Sequence, residues 1–320
     1  MMSLKNILFG IILSILLFSC NNNPKESKVQ LNFFYKDIYY YEQLSEQAQA
    51  KFKNKYKDVF DILYNGNNSD SLISVIPSSE IYKVFIDDIE KQEFDYIPII
   101  NNISELIIDI KEFTHLNINN KFNIVITPYN QSVTLTDSIC IIGINHYLGA
   151  NHPLYQYFDE YKRKNKEPNR IIYDIADVYC RSIIRYSNNN SLLDNIIREG
   201  LILTLESIVL DSEPFQILNF SSDDITWIDK YKHSAWNTII GNDLLYSSST
   251  PIINDIINPA PKAYSINNEA PALIGRLFGY EIIFKYLKES DLDLNFTNLK
   301  NITKLDSKTI LLKSKYNGYK

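Results

Sequence analysis

SLLDNIIREGLILTLESIVL, residues 191–210, decides how this chain is built. Ser191 and Asp194 stand in a capping-box arrangement, and the residues behind them carry helical periodicity. Apolar side chains at Leu192, Leu193, Ile196, Ile197, Leu201, Leu203, Leu205, Ile208 and Val209 cover most of the circumference, as in a helix buried on most sides. Its polar residues Asn195, Arg198, Glu199 and Glu206 form one narrow stripe, either an edge that reaches solvent or the wall of a polar cleft. Gly200, beside that stripe, costs about 1 kcal/mol relative to alanine in a helix, so another element is expected to pack against it.

The expected partner is PAPKAYSINNEAPALIGRLFGYEIIFKYL, residues 259–287. Pro259 and Pro261 forbid a continuous helix, Asn268 can cap a new one near 269–289, and Pro271 then falls in its tolerated first turn. Gly275 and Gly279 lie four apart on one face, where missing side chains let a second backbone approach. Glu281, Lys285 and Lys288 mark the solvated face, and Arg276 points the other way. A guanidinium directed inward needs a counter-charge, with Glu199 the first expected partner and Glu206 the second.

Outward from this pair, helical patterns cover 42–64, 69–91, 98–115, 152–165, 169–187 and 222–240. KFNIVITPYN and SVTLTDSICIIGINHYL, starting at 121 and 132, contain at least two strands, and another short strand is expected at 308–313. The fold class expected is α+β, mainly helical with a small central sheet, in one domain over 31–320.

At the N-terminus, Lys5 precedes an apolar run from Ile7 to Phe18, too short to span a bilayer as a mature helix. The run ends in Leu17-Phe18-Ser19-Cys20, which resembles the lipobox of bacterial lipoproteins. Residues 1–19 are then a signal peptide, Cys20 the lipidated residue, and 20–30 a polar tether that holds the protein to a membrane without crossing it.

The formal net charge of −6, more negative once Lys5 is removed, argues against a nucleic-acid partner. Cys140 and Cys180 lie in apolar contexts and are expected as separate buried thiols. His115, His146, His152 and His233 are scattered without a His-x3-His pair, and His146 and His152 are expected on a surface loop. No Gly-x-Ser-x-Gly, phosphate loop or Cys-x-x-Cys occurs, and Asp87/Asp88, Asp223/Asp224 and Asp291/Asp293 are expected to cap helices or face solvent. Tyr39-Tyr40-Tyr41 offers either core packing or a platform for stacking glycans.

The lipobox, INHYLGANHPLYQY (144–157), LLDNIIREGLILTL, WNTIIGNDLLYSSS (236–249) and the stretch 259–287 together resemble the GldB family of gliding-motility lipoproteins of Bacteroidetes. The resemblance rests most on Tyr147-Leu148-Gly149, Asp243-Leu244-Leu245-Tyr246-Ser247 and the Pro271, Gly275, Gly279 frame; Ala272-Leu273 departs from the Gly-Arg of the family pattern. It implies a part in the envelope machinery of gliding, coupled in that phylum to type IX secretion, with protein partners there. The tether lacks an acidic run, so a periplasm-facing position is expected.

That family in turn looks like a relative of the zincins, whose His-Glu-x-x-His helix holds zinc. The matching positions here are Arg198-Glu199-Gly200-Leu201-Ile202, in which both imidazoles are replaced and only Glu199 remains. The resemblance therefore implies a zincin-like scaffold without metal, cofactor or catalytic residue, used to bind a partner. The alternative is an envelope hydrolase or glycan-binding protein in which Glu199 serves as acid or base.

Overall fold

A computed structural model describes residues 29–319 apart from 93, 119–120, 128–129 and 187–189. The signal segment, Cys20 and the tether to Lys28 lie outside the described residues.

β1 (Gln30–Phe33) enters a four-stranded sheet beside β2 (Lys121–Val125), followed by β4 (Cys140–Gly143) and, at the far edge, β3 (Val133–Leu135). The first three strands run parallel, with Leu31 opposite Phe122 and Phe122 opposite Cys140. β3 is antiparallel to β4, with Val133 opposite Ile142. β4 is an unbroken apolar run, and β2 is buried from Phe122 to Val125 with Asn123 as a polar interruption, because both strands are covered on their two faces. β1, Gln-Leu-Asn-Phe, has no such run and was not expected as a strand; its state comes from pairing with β2.

The amino-terminal third is helical: α1 (Phe34–Tyr39), α2 (Glu46–Lys55), α3 (Lys57–Tyr64), α4 (Asp70–Ser78), α5 (Glu80–Lys91) and α6 (Tyr96–Thr114). The helix expected over 42–64 is broken at Tyr56, whose fully buried ring packs on Phe34 and Phe52 while its hydroxyl donates to Asp37. The one expected over 69–91 is broken at Ser79, where Pro77 ends the first piece and the Ser79 hydroxyl caps the second at Tyr82 N.

Between 152 and 165 only α7 (Glu160–Arg163) forms beside a 3-10 turn, because the segment folds back on itself, with Gly149 N donating to Lys166 O. The remaining helices are α8 (Ile171–Ile183), α9 (Leu192–Val209), α10 (Pro214–Ile217), α11 (Ser222–Gly241), α12 (Thr250–Ile257), α13 (Ile274–Glu289), α14 (Phe296–Ile302) and α15 (Ser307–Ser314). α15 replaces the strand expected at 308–313: Asp306 caps it through Thr309 N and Oγ1, and its run is too short for periodicity to separate the two states. α13 begins at Ile274 rather than near 269. The Asn267 side chain, not Asn268, accepts from Glu269 N and Ala270 N and holds a turn, and Leu273 takes a left-handed φ of 65° just before the helix. One apolar cluster runs from Phe34 to Tyr316, and α9 passes through it as the central rod.

A buried arginine–carboxylate cleft

The sequence stretches 191–210 and 259–287 meet as α9 and α13, the most extensive helix contact in the protein. The crossing is set by Gly200 and Gly279. A methyl group built on Gly200 would lie 2.1 Å from the Gly279 carbonyl carbon, and one on Gly279 would lie 2.0 Å from Ile196 O. No side chain fits there. Gly275 belongs to a different contact, since its added methyl would meet Ile257 Cδ1 at 2.7 Å and Ile256 O at 3.0 Å on α12. The capping box at Ser191 and Asp194 forms as expected and starts α9 in register.

The polar stripe of α9 is a buried wall and not a solvent edge, because Glu199 is 2 % exposed and Glu206 1 %. Arg181, which the sequence did not single out, comes from α8 and grips Glu199 with both ends of its fork, at 2.8 and 2.7 Å. Arg198 adds a contact at 3.2 Å, and Arg276 Nε stands 3.4 Å from the same carboxylate. The expected order of partners for Arg276 is reversed. Its Nη2 lies 3.1 Å from Glu206 and 3.3 Å from Asp177, because the fork of Arg181 already occupies the two oxygens of Glu199. Asp174, Asp177 and Arg181 recur three and four apart on α8, a helical charge pattern that could have revealed this wall. Asn195 sits apart near the start of α9, donating to Ser191 O at 2.8 Å.

These groups line a cavity of about 360 Å³ that also touches Arg170 and Asp174. Arg170 donates to Gln216 O and Ile217 O, and Asp174 accepts from Tyr147 and Ser132. Burial pushes Glu199 up, but the hydrogen bonds from Arg181 and the charges of Arg276, Arg181 and Arg198 outweigh it and hold the carboxyl below its usual range. Glu206, wholly buried and beside Asp177, is pushed up to about 8 despite Arg276. Asp177 resists its own desolvation because Arg276 and Arg181 flank it, and it falls to about 2. The two carboxyls titrate as a coupled pair, Glu206 displaced upward by burial and Asp177 downward by Arg276 and Arg181.

Several other side chains are not where the sequence put them. Glu281 is 5 % exposed rather than solvated, because Lys232 and the Tyr316 hydroxyl reach it from α11 and the C-terminal segment. His146 is buried and bonds Lys166 Nζ at 2.9 Å through Nδ1, and His152 Nε2 contacts Asp88 at 3.2 Å, so neither rides on an open loop. Tyr41 is buried while Tyr39 and Tyr40 are exposed, which leaves no three-ring platform. Cys140 and Cys180 are separate buried thiols. Over 198–202, Arg198 faces Glu199 and Ile202 is buried in the core. Among the described residues no group of three or more His, Cys, Asp or Glu is placed to hold a metal ion. No described helix is long and apolar enough to cross a membrane.

No curated protein and no solved structure matches the chain. The profile of the family described as gliding motility protein GldB matches residues 19–318, from the residue before Cys20 through α9, α13 and the C-terminal segment. On that match over nearly its whole length, the chain belongs to the family of the gliding motility protein GldB.

Proposed function

We propose that this gliding-motility lipoprotein is a non-enzymatic scaffold of the cell envelope, anchored through lipid on Cys20, facing the periplasm and binding protein partners of the motility or secretion machinery. The observation that carries this reading is the saturation of Glu199. A general acid or base must exchange a proton during turnover, whereas this carboxylate is held ionised by three guanidiniums and is almost closed to solvent. The degenerate zincin reading fits the same feature: arginines stand around the one acid that remains of the pentad, and their charge stabilises the helix crossing in place of a metal. The hydrolase alternative needs a free carboxylate at this position.

Two measurements test the proposal. If the cleft is structural, Glu199→Gln and Arg181→Met lower the thermal midpoint together and their effects are non-additive; loss of function with an unchanged midpoint in Glu199→Gln would point to catalysis. Metal content of a soluble Asn21–Lys320 form, purified without chelator, is expected to be far below one zinc per chain, and about one zinc would overturn the scaffold reading. For the anchor, Cys20→Ala is expected to move the protein from the membrane to the soluble fraction.

A further inference from the structure

Two of the protein's concavities differ in what they offer an occupant. A groove of about 480 Å³ opens past the carboxyl ends of β2 and β4 and is lined mostly by apolar side chains, with Ile81 and Phe85 of α5 on one side and Asn130 as a polar exception. Nothing in that lining selects one occupant. The arginine–carboxylate cleft, of about 360 Å³, has hydrogen-bonding capacity and positive charge left over.

Arg170 is 8 % exposed, yet among the described residues its fork meets no carboxylate within ion-pair distance. Its Nη1 donates to Gln216 O at 2.9 Å and its Nη2 to Ile217 O at 2.6 Å, both uncharged, the guanidinium lies 4.1 Å from the centre of the Tyr173 ring, and Nε is buried without a partner. A buried cation without a hydrogen-bonded anion is costly, and desolvation outweighs the charge of Asp174 and draws Arg170 below the ordinary arginine value. Arg276 hydrogen-bonds through Nη2 alone, to Glu206 and Asp177, and its buried Nε stands 3.4 Å from Glu199 without the geometry of a hydrogen bond. Arg198 hydrogen-bonds only through Nε, to Glu199 at 3.2 Å. Arg181, by contrast, is spent on Asp177 and both oxygens of Glu199.

The acids do not offset this surplus. Asp174 accepts from Tyr147 and Ser132, Asp177 and Glu199 are held by Arg181, and burial displaces Glu206 upward to about 8, so four guanidiniums face fewer than four full negative charges at neutral pH. The cleft runs from an accessible mouth, where the side chains of Arg181, Asp177 and Arg198 are 38, 31 and 29 % exposed, to a floor where Glu206 and Arg170 are buried. Ile217, Leu218 and Leu273 add apolar wall.

We infer that the cleft binds a monocarboxylate with a short apolar body, whose oxygens take the unspent N–H groups of Arg198 and Arg276 while the charge of Arg170 stabilises it from the same cavity. A guanidinium fork matches the two oxygens of a carboxylate, whereas the second charge of a phosphate would be set against Asp177 and Glu199. The volume is near the lower end of the roughly 300–1,000 Å³ of small-molecule sites, which suits a free short-chain acid or the C-terminal residue of a polypeptide. The inference deepens the scaffold reading by giving the cleft a ligand class, and rests on it in one respect: the ligand is held and not hydrolysed.

The test is isothermal titration calorimetry of the full-length protein in detergent, at constant ionic strength, with 3-methylbutanoate, N-acetyl-alanyl-leucine, the C-terminal amide of that peptide, and inorganic phosphate. At least one of the two acids is expected to bind with a Kd of about 1 mM or tighter, and the amide and phosphate at least about tenfold more weakly. Whichever acid binds more tightly marks the source, a free acid or a chain terminus. Arg198→Gln should weaken the acid about tenfold and leave the thermal midpoint of the free protein within about 2 °C, since Arg198 is partly exposed and makes a single hydrogen bond. No heat from either acid, equal binding of peptide acid and amide, preferred binding of phosphate, or an affinity indifferent to Arg198→Gln would each overturn the assignment. If Arg198→Gln does not fold, the ratio of acid to amide on the wild-type protein decides. Mass spectrometry of the peptide after incubation separates the two readings: binding with cleavage overturns the scaffold and leaves the site, whereas an intact peptide that does not bind overturns the site and leaves the scaffold.

Discussion

The arginine–carboxylate cleft and the apolar groove lie back to back on one short segment, and they are opposites. Asn145 and His146 line the groove, while the next residue, Tyr147, sends its hydroxyl to Asp174 on the cleft side. The cleft is rich in groups that look chemical, yet those charges are answered by others within hydrogen-bond reach. The groove has no motif, and its lining is mostly apolar with Asn130 among it. A cluster of titratable side chains is a sign of function only when its bonding capacity is left over, and the buried donors left over among the described residues of the cleft are Arg170 Nε and Arg276 Nε.

That contrast can be broken most directly at the helix crossing. Gly200→Ala and Gly279→Ala are expected to cost about 4 kcal/mol or more, or to prevent folding, because the new methyl falls inside backbone atoms at 2.1 and 2.0 Å. Gly241→Ala, with nothing within 4 Å, is the neutral control, read by thermal or urea denaturation. If Gly200→Ala were tolerated, the cleft would not depend on the crossing.

Arg276→Met comes next. It strands Glu206 beside Asp177 and is expected to cost about 3–5 kcal/mol, the usual penalty for removing one partner of a buried ionic network. Combining it with Glu206→Gln should restore part of the loss, which a double-mutant cycle measures.

A smaller effect is expected from pH. Glu206 keeps its proton in the folded protein up to about 8, whereas the unfolded chain releases it near the ordinary glutamate value. Across that interval the folded state binds more protons, so its stability falls as pH rises, by at most about 1.4 kcal/mol per unit from this group. Asp177 acts in the opposite sense but below this window, since its shift is downward to about 2 and its contribution is already complete by mildly acidic pH. Urea denaturation at pH 6 and pH 8 should show the decline, and Glu206→Gln should flatten it. A stability that rises between those values would mean that Glu206 is ionised in the cleft.

The smallest effect on stability belongs to the surface at and beside the groove. Ile81→Asp and Val75→Asp are expected to change unfolding free energy by no more than about 0.5 kcal/mol, because both side chains are exposed. A large loss in either would mean that the side chain packs into the core.

How much of this was legible in the chain depended on whether the signal was local. The capping box at Ser191 and the all-round apolarity of 192–209 are properties of one helix, and they located the central rod to within a residue. The glycines announced close packing but not which neighbour each would meet, and Gly275 turned to α12 while Gly279 turned to α9. β1 is four residues of mixed polarity and carries no period, and the short apolar run of α15 suits a strand as well as a helix. The spacing of Glu281 with Lys285 and Lys288 is that of a solvated face, yet Lys232 and Tyr316, distant in sequence, close over Glu281.

By itself, the sequence determined the α+β class and the inward turn of Arg276, which depend on residue order within single helices and strands, and the family of the gliding motility protein GldB, which depends on residue order over 19–318. Only the tertiary structure decided that Arg181 from α8 would claim Glu199, and that Arg276 would be left to Glu206 and Asp177. It also decided that an apolar groove would open at the strands' carboxyl ends. The reason is physical: a guanidinium fork, a backbone crossing at van der Waals contact and a concave surface are each made of groups far apart along the chain, and their geometry exists only after the helices have packed.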